Sequence, residues 1–128
     1  KVWENVGMAL NLGLNNKNEF WSPPGGGLNF QETIVDCLHR EIKEETNLEI
    51  TNSKFLDIHE YIHNDLHAVE LFFLVTSFNG DFILGHDPET PDTPLIQDGK
   101  FLTKQEIEAL PKDTLHSILL SHSILQLL

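Results

Sequence analysis

Apolar residues recur along this chain with two different periods, and these periods predict the order of its secondary-structure elements. Between Asn29 and Asn47 the apolar residues fall three and four apart, which is typical of an amphipathic helix. Asn29 with Glu32 matches a capping box at the start of this helix, and Asn47 can adopt the left-handed conformation that ends it. Runs of branched and aromatic residues predict strands at 6–14, 19–21, 48–63 and 67–78.

The last two predicted strands flank Asn64 and Asp65, which indicates an antiparallel hairpin. Downstream, the pattern predicts a loop from Gly80 to Gly99, a helix opened by Thr103 and Glu106 that stops at Pro111, and a last helix from Asp113 to Leu127. This order of strand, loop, helix, hairpin, loop and two helices predicts one α/β domain over residues 1–128. Its mixed β-sheet would be covered by helices.

Three glutamates crowd the end of the first predicted helix, in the segment HREIKEETN. Glu41 and Glu45 are four residues apart, a spacing at which like charges repel by roughly 0.2–0.5 kcal/mol. Charged residues of a helix usually lie on its solvated face. On a helical wheel, however, Glu45 falls inside the apolar arc, and Glu41 and Glu44 lie along its edge. That arc consists of Ile34, Val35, Leu38 and Ile42.

Carboxylates on the buried side of a helix need positive charge beside them, because an isolated buried carboxylate costs several kcal/mol. Arg40 can reach Glu44 across one helical turn, but one arginine cannot balance three acids. Mg²⁺ and Mn²⁺ prefer carboxylate oxygens. The pattern therefore predicts a divalent-cation site.

The charge balance points the same way. The net charge is −12, with eight lysines and arginines together, and Arg40 is the single arginine. A surface this acidic repels phosphate backbones, which argues against a nucleic acid polymer as partner. A small anionic substrate would depend on bound cations for neutralisation.

Other features bear on the setting in which the protein works. The single cysteine, Cys37, cannot form an internal disulfide, which favours a reducing, cytoplasmic location. No apolar run approaches the roughly 20 residues needed to span a membrane, and the N-terminal segment lacks the pattern of a signal peptide. A homodimer is left open.

The segment from Gly26 to Leu48 reads G-x5-E-x7-R-E-U-x-E-E-x-N-U, where U is apolar, and it resembles the signature of the Nudix hydrolases. Asn47 stands where that signature has glycine, and both residues accept a left-handed turn. The resemblance implies the Nudix fold, an α/β/α sandwich with a mixed β-sheet. It also implies cleavage of a nucleoside diphosphate linked to another group, with ADP-ribose or a related nucleotide sugar preferred from the loop sequence around Asp87 to Glu89. The alternative is a Nudix-fold module that binds a nucleotide without cutting it.

The resemblance also assigns roles to individual residues. It implies that Mg²⁺, or Mn²⁺, is held by Glu41, Glu44, Glu45 and the carbonyl of Gly25. Glu32 and Arg40 would lie behind these ligands, with Arg40 orienting the glutamates. The catalytic residues expected are Glu41, Glu45, Arg40 and, as general base, Glu89.

The choice of base rests on the long loop. Asp87 and Glu89 lie in a segment long enough to close over a site, and Glu89 has the longer reach. Glu41 is the other candidate, although a residue that coordinates metal is a poor proton acceptor.

A second motif, HEYIH, matches the zinc-hydrolase pattern H-E-x-x-H from His59 to His63, with His67 four residues on. That pattern requires a helix, whereas the flanking residues predict strands. On a strand, His59 and His63 would lie about 13 Å apart, too far for one zinc ion. Among the aromatic residues, Trp21, Tyr61 and Phe101 could stack on a nucleobase, but core positions are the more common use of such side chains.

Overall fold

The strands form two antiparallel sheets in the computed structural model, which describes residues 6–11, 20–85 and 98–127. In the first sheet β1 lies between β2 and β5, and in the second β3 pairs with β4. An isolated parallel bridge from Trp21 to Leu115 adds the parallel component. The strands are β1 (Val6–Asn11), β2 (Trp21–Ser22), β3 (Glu49–His63), β4 (Leu66–Asn79) and β5 (Asp98–Thr103).

Helices flank these strands and make the fold an α/β sandwich. The long helix α1 lies between β2 and β3 in the sequence, and the shorter helices follow β5. Among the described helices, none combines the length and hydropathy needed to cross a lipid bilayer. The helices are α1 (Ile34–Thr46), α2 (Lys104–Ala109), α3 (His122–Leu125) and two 3₁₀ helices, Lys112–Thr114 and Ser117–Leu120.

The predicted hairpin is confirmed. β3 and β4 pair from Glu49–Asn79 at one end to His63–Leu66 at the other, around a turn in which Asn64 has a φ of 53°. The register shifts between Phe55 and Asp57, where a bulge adds one residue to β3. The hairpin is a long two-stranded ribbon, and α1 packs against its β3 strand.

The start of α1 differs from the prediction. The N-cap is Thr33, whose Oγ1 accepts from the Asp36 N–H at 3.1 Å, and the cap is not Asn29. Asn29 and Glu32 do make the backbone contact expected of a capping box, with the Asn29 N–H 3.1 Å from Glu32 Oε1. The left-handed φ of 66° at Gln31 breaks the chain away from helical geometry, so this contact closes a separate turn.

The end of α1 is as predicted. Asn47 has a φ of 65° and its N–H donates to the Lys43 carbonyl at 3.0 Å. Thr46 is fully buried, and its Oγ1 accepts from the Leu48 N–H at 3.2 Å. These contacts turn the chain directly from α1 into β3.

Burial along α1 is confirmed for its second half only. Ile42 and Glu45 are both buried, as the helical wheel predicted. Ile34 and Val35 are about half exposed, so the first turn of the predicted apolar arc is not covered by described residues. The helix thus packs by the end that carries the acids.

The C-terminal third departs most from the sequence pattern. β5 was not predicted, because its sequence DGKFLT has only one short apolar pair and begins beside a glycine. The predicted capping box of Thr103 and Glu106 is present at the start of α2. The continuous helix predicted from Asp113 to Leu127 is wrong, because Leu115 bridges to Trp21 and the His116 N–H donates to the Trp21 carbonyl at 2.8 Å.

Two apolar clusters hold the fold. One joins β2, β5 and the C-terminal helices, and its most buried members have under 2% of their surface exposed. The other joins α1 to β3 and extends to a stacked pair of phenylalanines, Phe78 and Phe101, whose ring centroids are 6.3 Å apart. Their buried residues are Trp21, Leu102, Ile107, Leu115, Ile118 and Leu119 in the first, and Ile42, Leu48 and Ile50 in the second.

Candidate active site

Arg40 lies at the centre of a charged network on α1. Its Nε and Nη2 donate to the two carboxylate oxygens of Glu32 at 2.7 and 2.9 Å, which is a bidentate ion pair. This guanidinium holds the pKa of Glu32 down at about 2, and the same contacts raise the pKa of Arg40. Both groups are therefore charged at neutral pH, and each fixes the orientation of the other.

The other side of Arg40 faces two of the predicted ligands. Nη1 donates to Glu41 Oε1 at 2.8 Å and to Glu44 Oε2 at 3.3 Å. The contact to Glu44 is the one that the four-residue spacing predicted. The Glu41 side chain is 14% exposed and that of Glu44 is 32% exposed, so both acids are screened in part from solvent.

The glycine-rich loop closes over the same acids. A Cβ on Gly26 would lie 2.4 Å from the carboxylate of Glu41, so a larger residue here would displace that carboxylate from its present position. Nη2 of Arg40 donates to the Gly27 carbonyl at 3.1 Å, which ties the loop to the helix. The preceding Pro23 and Pro24 restrict the entry of the chain into the loop.

Glu45 is the most buried of the three acids, at 7% exposure. Its Oε1 accepts from the Gly25 N–H at 3.0 Å. Glu41 and Glu45 therefore meet the loop at neighbouring residues, Gly26 and Gly25. The structure brings these four residues together, and Arg40 joins Glu44 to Glu41.

Cys37 lies beneath the loop and is buried. Its thiol donates to the Gly27 carbonyl at 3.5 Å, and Arg40 Nη2 lies 3.7 Å from its sulfur. Burial raises the pKa of this thiol, and the negative charge of Glu32 raises it further. The cysteine is therefore a neutral packing residue under the loop.

A large cleft opens beside the acids. Its volume is about 1180 Å³, and it extends from the glycine-rich loop and Glu41 to β4 and the C-terminal helices. Ligand sites for drug-sized molecules typically enclose roughly 300–1,000 Å³, so the cleft has the volume of a small-molecule site. Apart from Glu41 and Glu70 the walls are mainly apolar, and they include Leu28, Leu38, Leu71, Phe73 and Ile124.

The residues at this corner fit a hard divalent cation by chemistry. Three carboxylates and a backbone loop without side chains supply the oxygen ligands that Mg²⁺ takes. Within the described ranges, however, no three His, Cys, Asp or Glu side chains are grouped closely enough to hold one ion. Arg40 occupies two of the acids in this arrangement, so the metal roles of Gly25, Glu41, Glu44 and Glu45 stay predictions.

Two predicted functional residues cannot be placed. Asp87 and Glu89, the candidates for a general base, lie outside the described residues.

The HEYIH segment is part of β3, which confirms the strand interpretation and removes the helical geometry that a zinc site of this pattern needs. Of the aromatic residues considered, Trp21 is buried in the core and Phe101 packs beside the second apolar cluster, while Tyr61 is about half exposed.

A polar cluster away from the acids was not predicted. His116 caps the second 3₁₀ helix, because its Nδ1 accepts from the Ile118 N–H at 3.1 Å. The neutral ring therefore carries its proton on Nε2, which lies 3.2 Å from a carboxylate oxygen of Glu70 on β4. The ring of His59 lies 6.4 Å from that of His116. No sequence pattern signals contacts between residues this far apart in the chain.

The backbone after β4 also contacts α1 in a way that the sequence did not predict. The N–H groups of Ile83 and Gly85 donate to the carbonyls of Thr46 and Glu45 at 3.0 and 2.8 Å. The one signal available was Gly85 itself, since a glycine can mark a close approach of two backbones.

Comparison with known proteins decides the family. A family model described as the NUDIX domain matches residues 12–120, which is most of the chain. The chain belongs to the Nudix family. The glutamates of α1 and the glycine-rich loop are thus parts of a Nudix domain, as the resemblance implied.

Among characterised relatives, the domain is similar to two proteins named 8-oxo-dGTP diphosphatase. The one from Proteus vulgaris is 37% identical over 62 residues, covering 48% of this chain and 55% of the relative. The one from Buchnera aphidicola subsp. Acyrthosiphon pisum is 33% identical over 64 residues, covering 50% and 52%. The matched region spans about half the length of each relative.

Solved structures show the same fold. A MutT NUDIX hydrolase from Burkholderia pseudomallei superposes with a TM-score of 0.74 at 19% identity, covering 98% of this chain and 89% of that one. The E. coli ORF135 protein superposes with a TM-score of 0.71 at 15% identity, covering 97% and 79%. At these identities the likeness establishes the fold alone, and the predicted Nudix sandwich is confirmed.

Proposed function

We propose that this Nudix domain is a Mg²⁺-dependent pyrophosphohydrolase of small nucleotides. The observation that carries the proposal is the convergence of Glu41 and Glu45 on Gly26 and Gly25, with Glu45 buried. Burying neighbouring carboxylates beside a glycine backbone costs free energy, and a cation bound between them would offset that cost. Mn²⁺ satisfies the same oxygen ligands.

The proposed ligands are Glu41, Glu44, Glu45 and the carbonyl of Gly25. Mg²⁺, when bound, would neutralise the pyrophosphate and polarise the phosphorus that water attacks. Arg40 would hold Glu41 and Glu44 at the site, and Glu32 would fix Arg40 through the bidentate pair. The absence of side chains at Gly25 and Gly26 would let phosphate oxygens approach the backbone.

The substrate proposal follows from the relatives and the cleft. Both relatives carry names that specify 8-oxo-dGTP, so a nucleoside triphosphate is favoured over the ADP-ribose predicted from the loop sequence. The apolar walls of the cleft suit a nucleobase, while the acids and the glycine-rich loop lie at its edge. Water would cleave one phosphoric anhydride bond, giving two phosphorylated products.

A non-catalytic nucleotide-binding module is the second candidate. It is favoured by the contacts of Arg40, which give Glu41 and Glu44 a cationic partner within the chain itself. In such a module the acids would serve the fold, and no cation would be needed.

The two candidates differ in turnover. The decisive experiment follows 8-oxo-dGTP, dGTP, ADP-ribose and a nucleotide sugar with Mg²⁺ and with Mn²⁺, and identifies the phosphorylated products. We expect metal-dependent hydrolysis that is fastest for a nucleoside triphosphate. Binding of a nucleotide without turnover of any substrate in either metal would support the module instead.

The general base stays a proposal of its own. Glu89 is proposed to accept the proton of the attacking water, with Glu41 as the alternative. In Glu89→Gln the turnover at saturating substrate should fall and the acidic limb of its pH profile should disappear. If both limbs and the turnover stay unchanged, Glu41 becomes the candidate.

A further inference from the structure

Residues 81–85, which follow β4, lie across the end of α1 that carries the acids. Ile83 and Gly85 donate their N–H groups to the carbonyls of Thr46 and Glu45, at 3.0 and 2.8 Å. The last four carbonyls of a helix have no partner within it, so these donors satisfy two of them. The 81–85 segment is therefore bound to the turn that contains Glu44 and Glu45.

This contact is possible only because residue 85 is glycine. A Cβ at Gly85 would lie 1.8 Å from the Glu44 carbonyl oxygen and 3.0 Å from the Glu45 Cα. Both of these atoms belong to the helix backbone, so no rotation of a side chain could relieve the collision. Any larger residue must push the 81–85 segment off the helix or shift the acidic turn.

Asn47 adds a bond that the glycine of the family signature could not make. Its Nδ2 donates to the Asp81 carbonyl at 3.1 Å, while its backbone keeps the left-handed conformation. The segment is thus attached at three points: residues 81, 83 and 85. The departure from the signature at position 47 coincides with the first of them.

The attachment also affects the charge at the helix end. The C-terminal carbonyls of a helix carry partial negative charge, which disfavours the nearby Glu44 and Glu45 anions. Two N–H dipoles directed at these carbonyls offset that charge. The 81–85 segment therefore both fixes the acidic turn and makes it a better place for anions.

We propose that Gly85 is a positioning residue for the metal-binding acids, acting through the backbone of Glu44 and Glu45. This inference rests on the proposed function, since it assumes that these acids bind a cation. The close packing of the 81–85 segment holds the turn so that Glu45 reaches the Gly25 N–H, 3.0 Å away. Displacing the segment would move Glu45 away from the loop.

The test compares Gly85→Ala with the unchanged chain in two measurements. Without metal, the Gly25 amide signal in an NMR spectrum should move, because its hydrogen bond to Glu45 is altered. With Mn²⁺ alone, binding followed by electron paramagnetic resonance should weaken by about 10-fold or more, which is typical when groups that support metal ligands are lost. In turnover, the metal concentration for half-activation should rise while the KM for nucleotide stays unchanged.

Two variants control for loss of stability. Ile107→Val trims a buried side chain in the apolar cluster of β2, β5 and the C-terminal helices, which costs stability and leaves the 81–85 segment unchanged in sequence. Ile83→Ala trims an exposed side chain and keeps its N–H. Both variants should bind Mn²⁺ as the unchanged chain does, and their Gly25 signal should not move.

The outcomes separate the two proposals. A folded Gly85→Ala variant with normal Mn²⁺ binding and an unmoved Gly25 signal would overturn the positioning role. If that variant does not fold, the double variant Asn47→Gly, Ile83→Pro decides, since it removes the bonds at residues 81 and 83 and so releases most of the segment from α1. Weaker Mn²⁺ binding supports the positioning role, and normal binding overturns it. If the unchanged chain binds no Mn²⁺, the metal-dependent function fails. The Gly25 amide signal of Gly85→Ala then decides whether Gly85 positions Glu45: a moved signal supports that role, and an unmoved signal overturns it.

Discussion

At the scale of single residues, one arginine organises the acids of α1. Arg40 contacts Glu32, Glu41 and Glu44 and also the Gly27 carbonyl, so a single guanidinium joins the helix to the glycine-rich loop. The planar fork of arginine permits these simultaneous contacts, which the point charge of a lysine would not. Glu45 lies apart from this network and is bound by the loop backbone instead.

Because of that difference, Glu45→Gln is the cleanest test of a metal ligand. Glutamine keeps an acceptor oxygen for the Gly25 N–H, so we expect the fold to persist. It removes the charge, so turnover should fall by about 10²-fold or more, because a misplaced cation polarises the substrate poorly. Steady-state kinetics at saturating Mg²⁺ measure the effect, with Glu108→Gln on the exposed face of α2 as control. Near-normal turnover would exclude Glu45 as a ligand.

Glu32 should make stability depend on acid. Its pKa is about 2 in the folded chain and close to 4.5 without its partner. A carboxylate with a lowered pKa stabilises the folded state above its unfolded pKa, and that contribution disappears as the pH falls through the folded one. The stability difference between the unchanged chain and Glu32→Gln should be constant above about pH 5 and shrink between about pH 4.5 and pH 2.

Urea denaturation at a series of pH values measures that difference. A difference that stays constant down to pH 2, or that grows as the pH falls, would show that the pair with Arg40 does not set the pKa of Glu32.

At the scale of elements, the sequence correctly predicted the helix ends and the hairpin that are determined by neighbouring residues. The end of α1 was predicted because Asn47 itself accepts a left-handed φ, and the capping box of α2 because Thr103 and Glu106 are three residues apart. The hairpin followed from its two runs of branched and aromatic residues and from the turn residues between them. Each of these signals lies within a few residues of the feature that it predicts.

The elements that were missed depend on distant partners. β5 is a strand because it pairs with β1 along its whole length, although its own sequence favours strand weakly. The predicted C-terminal helix is broken where Leu115 and His116 contact Trp21, more than 90 positions earlier in the chain. The shift of the α1 start to Thr33 follows from the left-handed Gln31, which no local preference announced.

The contact of His116 with Glu70 joins two such distant elements, the second 3₁₀ helix and β4. His116→Asn should keep an acceptor for the Ile118 N–H, since asparagine is a good helix cap, but it cannot reach Glu70. In a double-mutant cycle with Glu70→Ala, which removes the acceptor, we expect a coupling of about 1 kcal/mol, the usual net value of a hydrogen bond. Urea denaturation of the four proteins gives the coupling, and simple additivity would show that the contact does not stabilise the fold.

At the scale of the whole molecule, the candidate site was easier to predict than its surroundings. The position of Glu45 followed from helical geometry, because a wheel fixes which residues share a face. The 81–85 segment could not be foreseen, because its contacts with α1 join residues nearly 40 positions apart. The apolar cleft is likewise a product of packing between α1, β4 and the C-terminal helices.

Mg²⁺ can stabilise this chain in two ways, by binding at a site and by screening its net charge of −12. A ligand present at 100 times its Kd stabilises the folded state by about 2.7 kcal/mol, so Mg²⁺ should raise the melting temperature in a saturable way. Sodium chloride at equal ionic strength screens the same charges without occupying a site. We expect a smaller rise with sodium chloride and a reduced response to Mg²⁺ in Glu45→Gln. Equal shifts from both salts would indicate screening alone.

The buried position of Cys37 has a practical consequence, because it is the only cysteine of the chain. Its thiol is covered where it donates to the Gly27 carbonyl, and a covered thiol reacts only when the surrounding structure opens. The rate at which a small disulfide reagent labels the native protein therefore counts openings of the glycine-rich loop. Nucleotide and Mg²⁺ together should slow this labelling. The labelling rate of Cys37 therefore reports how often the glycine-rich loop opens at the proposed site.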